Sequence, residues 1–411
     1  MKKNILIVII ITMSVSLCVS QVPKHSSDFN FGTGINFQLN DGKYQFNFGG
    51  TIQPQINISS FNNVEEYFYN SPNSLFSLYA RDNDKKITLF MLNDFSKSNP
   101  LLDAWGAIEF NFFNIAFGQK HAISNFESML YENNLTFNSR SLMNQSFNSD
   151  GREFGVFILS NFVYGNLVFE PNISVTSGDG INSFGALASD YDLGGLKYAF
   201  KLNFYPFGEF SGNKIHFSDL SFEKDLKIMI SLGGSYNDGA SNAVGEGHGD
   251  FNLYDANGDS KYPDYRKLHF DLLSKYQGFS FLAEYVIATA TDLDGSYKSI
   301  PLFFDNELAN GDAQLFASEI SQFLSVGSGL NTQFGYMSKS GLSIDLSYSM
   351  VEPEFEKNTS SIISKSSSSR IGFSKYLVKN AVRIHTGVEN VSVESQENDV
   401  LRFNLMLQLN L

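Results

Sequence analysis

His121, Arg140 and Arg152 lie on one long stretch, 121–152, between two runs of alternating apolar residues, and Lys120 stands at its entrance. Lysine and arginine replace an anion's lost hydration by charge and directed hydrogen bonds. Cations converging on a water-filled constriction would therefore filter anions. A second basic set falls at Lys197, Lys201, Lys267, Arg370, Arg383 and Arg402, each at the polar parity of its own alternating segment. Charge pairing is the competing reading. Asp271, Glu284, Asp345 and Glu389 share that parity, and Glu127, Glu132 and Asp150 sit among the bases of 121–152. Such residues can simply neutralise one another inside a solvated interior.

Other candidate chemistry is weaker. Asp255-Ala-Asn257-Gly-Asp259 spaces oxygen ligands like the start of a calcium loop, but Ser260 holds the turn position and Arg266 the twelfth. An acidic solvated loop is the reading there, and no metal is expected. Gly245-Glu-Gly247-His248-Gly249 lacks the strand-to-helix context of a phosphate cradle. The histidines at 25, 121, 216, 248, 269 and 385 fall in no nucleophile motif. A rim hydrolase built on Ser, His and Asp is the enzymatic alternative, but no catalytic residue and no cofactor is expected.

The elements that would carry these residues are set by composition and period. Lys2 and Lys3, the apolar run Ile5 to Leu17, and Cys18-Val19-Ser20 read as a cleavable secretory leader, with the mature chain starting at Gln21. A lipoprotein reading of Cys18 is disfavoured by the bulk of Leu17 before it. Without Cys18 the chain has no cysteine, so disulfides and cysteine metal sites are excluded. No later apolar run reaches the ~18 residues a membrane helix needs. A membrane-spanning form must then use strands, closed so that every backbone group is paired. Forty Phe and nineteen Tyr agree with strands. A formal charge of −14, which becomes −16 once Lys2 and Lys3 leave, argues against a nucleic-acid partner.

The last eleven residues alternate strictly. Leu401, Phe403, Leu405, Leu407, Leu409 and Leu411 face one way, and Arg402, Asn404, Met406, Gln408 and Asn410 the other. One apolar and one mostly polar face suit a barrel strand between lipid and a wet lumen. The same period marks 44–59, where Tyr44, Phe46, Phe48, Ile52, Ile56 and Ile58 oppose Gln45, Asn47, Thr51, Gln53, Gln55 and Asn57. It recurs at 75–82, 86–95, 104–110, 113–120, 153–161, 164–176, 193–205, 225–237, 265–276, 278–290, 325–338, 341–351, 369–377, 380–394 and 398–411. That predicts an all-β transmembrane antiparallel barrel of about 16 strands over 43–411, with 21–42 as a periplasmic lead-in or an extra strand. Short turns at 82–85, 112–113, 161–163, 277, 339–340 and 378–379 alternate with longer connections at 60–74, 96–103, 121–152, 177–192, 238–264, 291–324, 352–368 and 395–397. Only 206–224 breaks the rule, being long on the short side.

Phe48-Gly49-Gly50-Thr51-Ile52-Gln53-Pro54, Leu102-Asp103-Ala104, Phe117-Gly118-Gln119-Lys120, Leu135 to Ser141, Gly151 to Val156 and the C-terminal strand resemble the phosphate-selective O and P porins in a Bacteroidetes-type form. The likeness runs in order from about 44 to 411. It implies a sixteen-stranded outer-membrane barrel, a homotrimer, and a third external loop folded inward to set pore width, here 121–152. The chain departs from phosphate selectivity in its external loops. Loop 238–264 carries six acids against Lys261, and 291–324 six more against Lys298. An acidic mouth repels anions. The expected function is passive diffusion of small hydrophilic solutes and ions. An anion-preferring channel filtered by Lys120, Arg140 and Arg152, or a plugged adhesive barrel, are the alternatives.

Overall fold

The computed structural model describes residues 26–62, 64–148, 151–181, 194–212, 216–246, 249–300, 314–356, 360–378 and 380–411. The leader 1–20, His25, Asp150, the Gly247-His248 pair and the acids at 305, 307 and 312 lie outside them. Among the described residues, 21 strands form one antiparallel sheet. They begin with β1 (Ser26–Asn30), β2 (Gly34–Leu39), β3 (Tyr44–Ile52), β4 (Gln55–Phe61), β5 (Val64–Asn70), β6 (Ser74–Asp82) and β7 (Ile87–Asp94). Next come β8 (Leu101–Glu109), β9 (Phe113–His121), β10 (Arg152–Ser160), β11 (Phe162–Tyr164), β12 (Leu167–Thr176), β13 (Lys197–Tyr205) and β14 (Lys227–Asn237). The sheet ends with β15 (Asp264–Tyr276), β16 (Phe279–Thr291), β17 (Gly327–Met337), β18 (Leu342–Pro353), β19 (Ser366–Tyr376), β20 (Val382–Val393) and β21 (Val400–Asn410).

Three pairs of these strands are single staves with a break: β3 with β4, β5 with β6, and β10 with β11. Setting β1 and β2 aside, sixteen staves remain, and they close. Closure is made by β21, which pairs with β4 from Leu401↔Ser60 to Met406↔Gln55 and with β3 at Leu409↔Ile52. The break in the first stave falls at Gln53-Pro54, since proline has no N–H to give the ladder. Beyond the end of β21, the ladder of β3 is taken over by β2, from Ile35↔Phe48 to Leu39↔Tyr44. The turn between them, Asn40-Asp41-Gly42, is left-handed at all three residues, with φ of 53°, 56° and 87°.

Two expected boundaries are corrected. The connection 60–74 is no open loop: β4 and β5 form a hairpin turning near Asn62, whose φ is 51°. The turn placed at 161–163 lies at 165–166 instead, because Phe162–Tyr164 still pairs with Leu167–Phe169 and Gly165 turns at φ 60°.

The outer face is apolar and exposed, as a bilayer requires and water does not favour. Tyr198, Phe200 and Leu202, Ile344, Leu346 and Tyr348, and Leu401, Phe403, Leu405 and Leu407 all lie on it. Aromatic rings gather at the short-turn rim, where Phe110 stacks on Phe113 at 4.9 Å and Phe279 packs on Tyr336 at 4.6 Å. Interfacial girdles of this kind anchor barrels.

Candidate functional site

The third external loop, 122–151, folds into the barrel. Its centre is a short helix, α1 (Leu142–Phe147), capped by Ser141, whose Oγ accepts from the Asn144 amide. Glu127 holds that cap: its Oε2 accepts from Ser141 N at 2.8 Å, Ser141 Oγ at 2.5 Å and Asn144 Nδ2 at 2.7 Å. The wall reaches the same carboxylate through Gln333 Nε2, 2.6 Å from Oε1. Glu284 on β16 accepts from the Glu127 amide at 2.6 Å. A buried carboxylate needs this many donors.

The basic residues of this loop are spent on it. Arg152 grips Glu132 with both terminal nitrogens, at 2.8 and 3.3 Å, and lies 3.7 Å from Asp103. Arg140 donates to the carbonyls of Glu127 and Leu130, at 2.5 and 2.9 Å, and to Glu132 at 3.4 Å. Burial alone would raise the Glu132 carboxyl, but the two guanidiniums outweigh it and hold it well below the usual range. Burial lowers Arg140 despite that partner. His121 is buried edge-on against Tyr131, 4.8 Å between ring centres. Lys120 extends its ammonium over the rings of Trp105 and Phe157, at 5.0 and 5.4 Å.

The wall cations also face the loop. Lys201 donates to Ser124 O at 2.6 Å and Asp271 at 2.7 Å. Arg370 donates to Ser139 O at 3.0 Å, lies 3.9 Å from Glu127, and covers the Phe137 ring at 4.3 Å. Arg383 donates to Leu135 O at 2.8 Å. Lys197 and Lys267 meet on Glu246, at 3.3 and 3.1 Å, and Lys267 also donates to Phe147 O at 2.5 Å. Glu246 comes from external loop 238–263. Burial opposes its charge, but the two lysines outweigh that and push its carboxyl down to about 2. Arg402 differs: it stays half-exposed, 3.3 Å from Glu389. The Asp255 loop closes on itself, its Oδ1 accepting from the amides of Asn257 and Asp259 at 2.8 and 2.9 Å.

Neutral amides hold the loop on the opposite side, at the closing seam. Gln53 Nε2 donates to Gln408 at 2.8 Å, Thr51 to Asn410 at 2.8 Å, and Asn73 to Gln53 at 2.6 Å. The loop joins this ladder through Asn133, bonded to Thr51 at 3.1 Å, and Asn138, 3.2 Å from Asn57. Sequence alternation put Thr51, Gln53, Gln408 and Asn410 on the inner face, yet their part in holding the loop carried no sequence signal. Glu246, in an irregular loop, carried none either.

The long turn 206–226 enters from the other end. Phe210 and Phe217 are buried with Phe126, Leu130 and Leu135 of the inner loop, against Tyr205, Met229, Leu273 and Leu282 of the wall. Inward glycines make room for the two plugs. A Cβ on Gly335 would lie 2.9 Å from Phe217, and one on Gly329 2.5 Å from Met143 of α1. Above α1, Leu253, Leu315, Ile320 and Leu324 of the external loops pack on Met143 and Phe147. Inner faces from β13 to β19 are therefore buried, including those of Lys201, Asp271, Glu284 and Asn331. Inner residues toward the short-turn ends of β3, β6 and β8, such as Asn47, Tyr79, Arg81 and Glu109, are only half-buried, whereas Thr51, Leu75 and Asp103 of the same strands are buried. The less filled part of the lumen lies toward that end.

No family model and no curated protein sequence matches the chain. Among solved structures it is similar to OprB of Pseudomonas putida, with TM-score 0.55 and 10% identity over 90% of this chain and 95% of that one. It is also similar to the outer membrane channel DcaP of Acinetobacter baumannii, with TM-score 0.51 and 13% identity over 90% and 97%. A loop L8 deletion mutant of OmpT, an outer membrane protein of Vibrio cholerae, aligns with TM-score 0.52 and 10% identity over 90% and 100%. At such identities the shared property is the fold, a closed antiparallel barrel of sixteen strands.

Proposed function

We propose that this chain is an outer-membrane channel through which small hydrophilic solutes and ions diffuse passively, past the inner residues of β3, β6 and β8. The carrying observation is that polar inner residues toward the short-turn ends of these strands are only partly buried, beside a lumen otherwise filled. The apolar outer belt and the leader-like residues 1–20 support placement in the outer membrane, reached by export. The family resemblance supports a homotrimer. Lys120, His121, Arg140 and Arg152 set the bore in this reading by fixing the inner loop. The terminal nitrogens of Arg140 and Arg152 are engaged on Glu132 and on loop carbonyls, Lys120 lies over aromatic rings, and the external loops are acidic, which favours near-neutral or cation-leaning selectivity over a phosphate filter.

A second reading is a plugged surface barrel, favoured by the apolar junction of Phe126, Leu130 and Leu135 with Phe210 and Phe217. Reversal potential in a planar bilayer under a KCl gradient, repeated with phosphate added, separates the readings. Conductance steps with near-neutral or cation-leaning reversal and no phosphate block are expected. Strong anion preference with phosphate block would reverse the selectivity, and an absence of steps would leave the plugged barrel.

A further inference from the structure

Strands β12 to β16 present a groove of about 630 Å³ on the outer wall, near their long-loop ends. Two cross-strand rows build it. Ile173, Phe200, Gly234, Leu268 and Ile287 are successive register partners at outward parity. Gly234 leaves a gap in the middle of that row. A Cβ there would lie 3.1 Å from Leu268 Cδ2 and 3.4 Å from Phe200 Cε1, so these two side chains border the gap. Two residues nearer the loops, Val175, Tyr198, Tyr236, Arg266 and Thr289 form the second row.

Arg266 is the odd member. It is exposed at lipid-facing parity, its guanidinium 5.3 Å from the centre of the Tyr236 ring. The two other wall arginines that are not buried, Arg81 and Arg402, face the lumen and pair with Glu109 and Glu389. The acids nearest Arg266 are spent elsewhere. Asp264 accepts from the Tyr236 hydroxyl at 2.7 Å, and Glu354 from the Thr289 hydroxyl at 3.2 Å. Among the described residues no carboxylate forms an ion pair with Arg266. A cation on the lipid side is uncompensated until an anion of the head-group layer meets it. With two acids close by, that single charge is a poor trap for a free anion. An apolar tail lying in the groove supplies the remaining attraction.

Resting on the membrane placement above, we propose that this groove holds a lipid with an anionic phosphate head. Its phosphate sits on the Arg266 guanidinium, whose planar fork matches phosphate oxygens. One acyl chain runs over the gap at Gly234, between Phe200 and Leu268. The site lies outside the lumen.

The test is native mass spectrometry of the full chain in detergent, with dioleoyl phosphatidylglycerol and dioleoylglycerol added in equal amounts. These probes share their acyl chains and differ in the phosphate head. One phosphatidylglycerol is expected to stay bound after the micelle is stripped, and dioleoylglycerol several-fold less. Arg266→Gln should reduce the retained phosphatidylglycerol about tenfold, because the charged donor is lost. Leu268→Trp, which fills the groove with an apolar ring, should reduce it as well, while Leu405→Trp at the closing seam should not. Heat-modifiable gel migration reports that the variants still fold. Equal retention of the two probes, or unchanged retention in both folded groove variants, would overturn the site. Dimer masses lost in Leu268→Trp would also overturn it, by making the groove a contact between copies. Masses do not depend on conduction, so a chain that retains the lipid but shows no conductance keeps this site and loses the channel reading. A chain that does not enter liposomes loses both.

Discussion

Arg383 donates from Nη1 to the carbonyl oxygen of Leu135 across 2.8 Å, so β20 holds the backbone of the third external loop from inside the barrel. The guanidinium is fully buried. Arg383→Met keeps the apolar stem and removes that bond. A hydrogen bond from a charged donor contributes roughly 1.5–3 kcal/mol. Lower thermal stability in detergent is expected, together with noisier conductance as the loop loosens. Unchanged melting and unchanged noise would mean the contact holds nothing.

Glu132 is the shared partner of Arg140 and Arg152. Glu132→Ala removes the carboxylate shared by Arg140 and Arg152 and leaves Arg152 only Asp103 at 3.7 Å; breaking a buried pair in this way costs up to about 3–5 kcal/mol. Arg402→Ala removes one half-exposed ion pair, worth roughly 0–1 kcal/mol. Unfolding midpoints of the two variants should separate clearly, with Arg402→Ala close to the parent.

Acid should release the loops in a defined order of charge. Glu132 and Glu246 are both held below the ordinary glutamate value of about 4.3. Their stabilisation is thus complete above that value and is lost as pH falls through their lower folded values, which for Glu246 means toward about 2. Melting temperature measured from pH 6 to pH 2 should fall mainly below about 4.3. Glu246→Gln should flatten part of that decline.

Reversal potential should respond to charges that still meet water. Arg402→Ala is expected to shift it toward cations, because this side chain is half-exposed. Arg383→Met should shift it less, since that charge is buried at the loop. Equal shifts would place Arg383 in the conducting path.

The junction between the two inserted segments is sensitive to shape. Phe217→Ala removes a buried ring, and large-to-small changes of this type cost about 3–5 kcal/mol. Gly335→Val acts from the wall, where its Cβ would lie 2.9 Å from the same ring. Both variants should melt earlier and raise single-channel conductance. Lower stability at constant conductance would place the junction outside the path.

Most of the barrel was readable from period two, because each stave between lipid and lumen must alternate. Leu196 to Phe204 and Leu342 to Met350 are of this kind. The signal faded where that demand ends. Val64–Asn70 is exposed along its whole length, so its Glu65-Glu66 and Tyr67-Phe68-Tyr69 runs obey no face and looked like loop. The acids opposing the wall bases were half legible. Asp271 pairs with Lys201 and Glu389 with Arg402, as parity suggested. Glu246 pairs with Lys197 and Lys267 from a distant irregular loop, a proximity that only the folded chain creates. The long turn 206–224 stood out by length. What it does follows from Phe210 and Phe217 finding apolar partners inside a barrel whose inner parity is mostly polar.

The amide ladder at the seam also bears on how the molecule assembles. Thr51 and Asn57 on the first stave, and Asn404 and Gln408 on the last, bond Asn133 and Asn138 of the inner loop. These staves are the most distant in sequence of any that pair, so loop-closure entropy makes theirs the slowest contact to form. Because the inner loop shares hydrogen bonds with that seam, sealing the cylinder and seating the loop stabilise each other, and a chain stalled before closure is expected to show an unzipped wall and an unseated loop together.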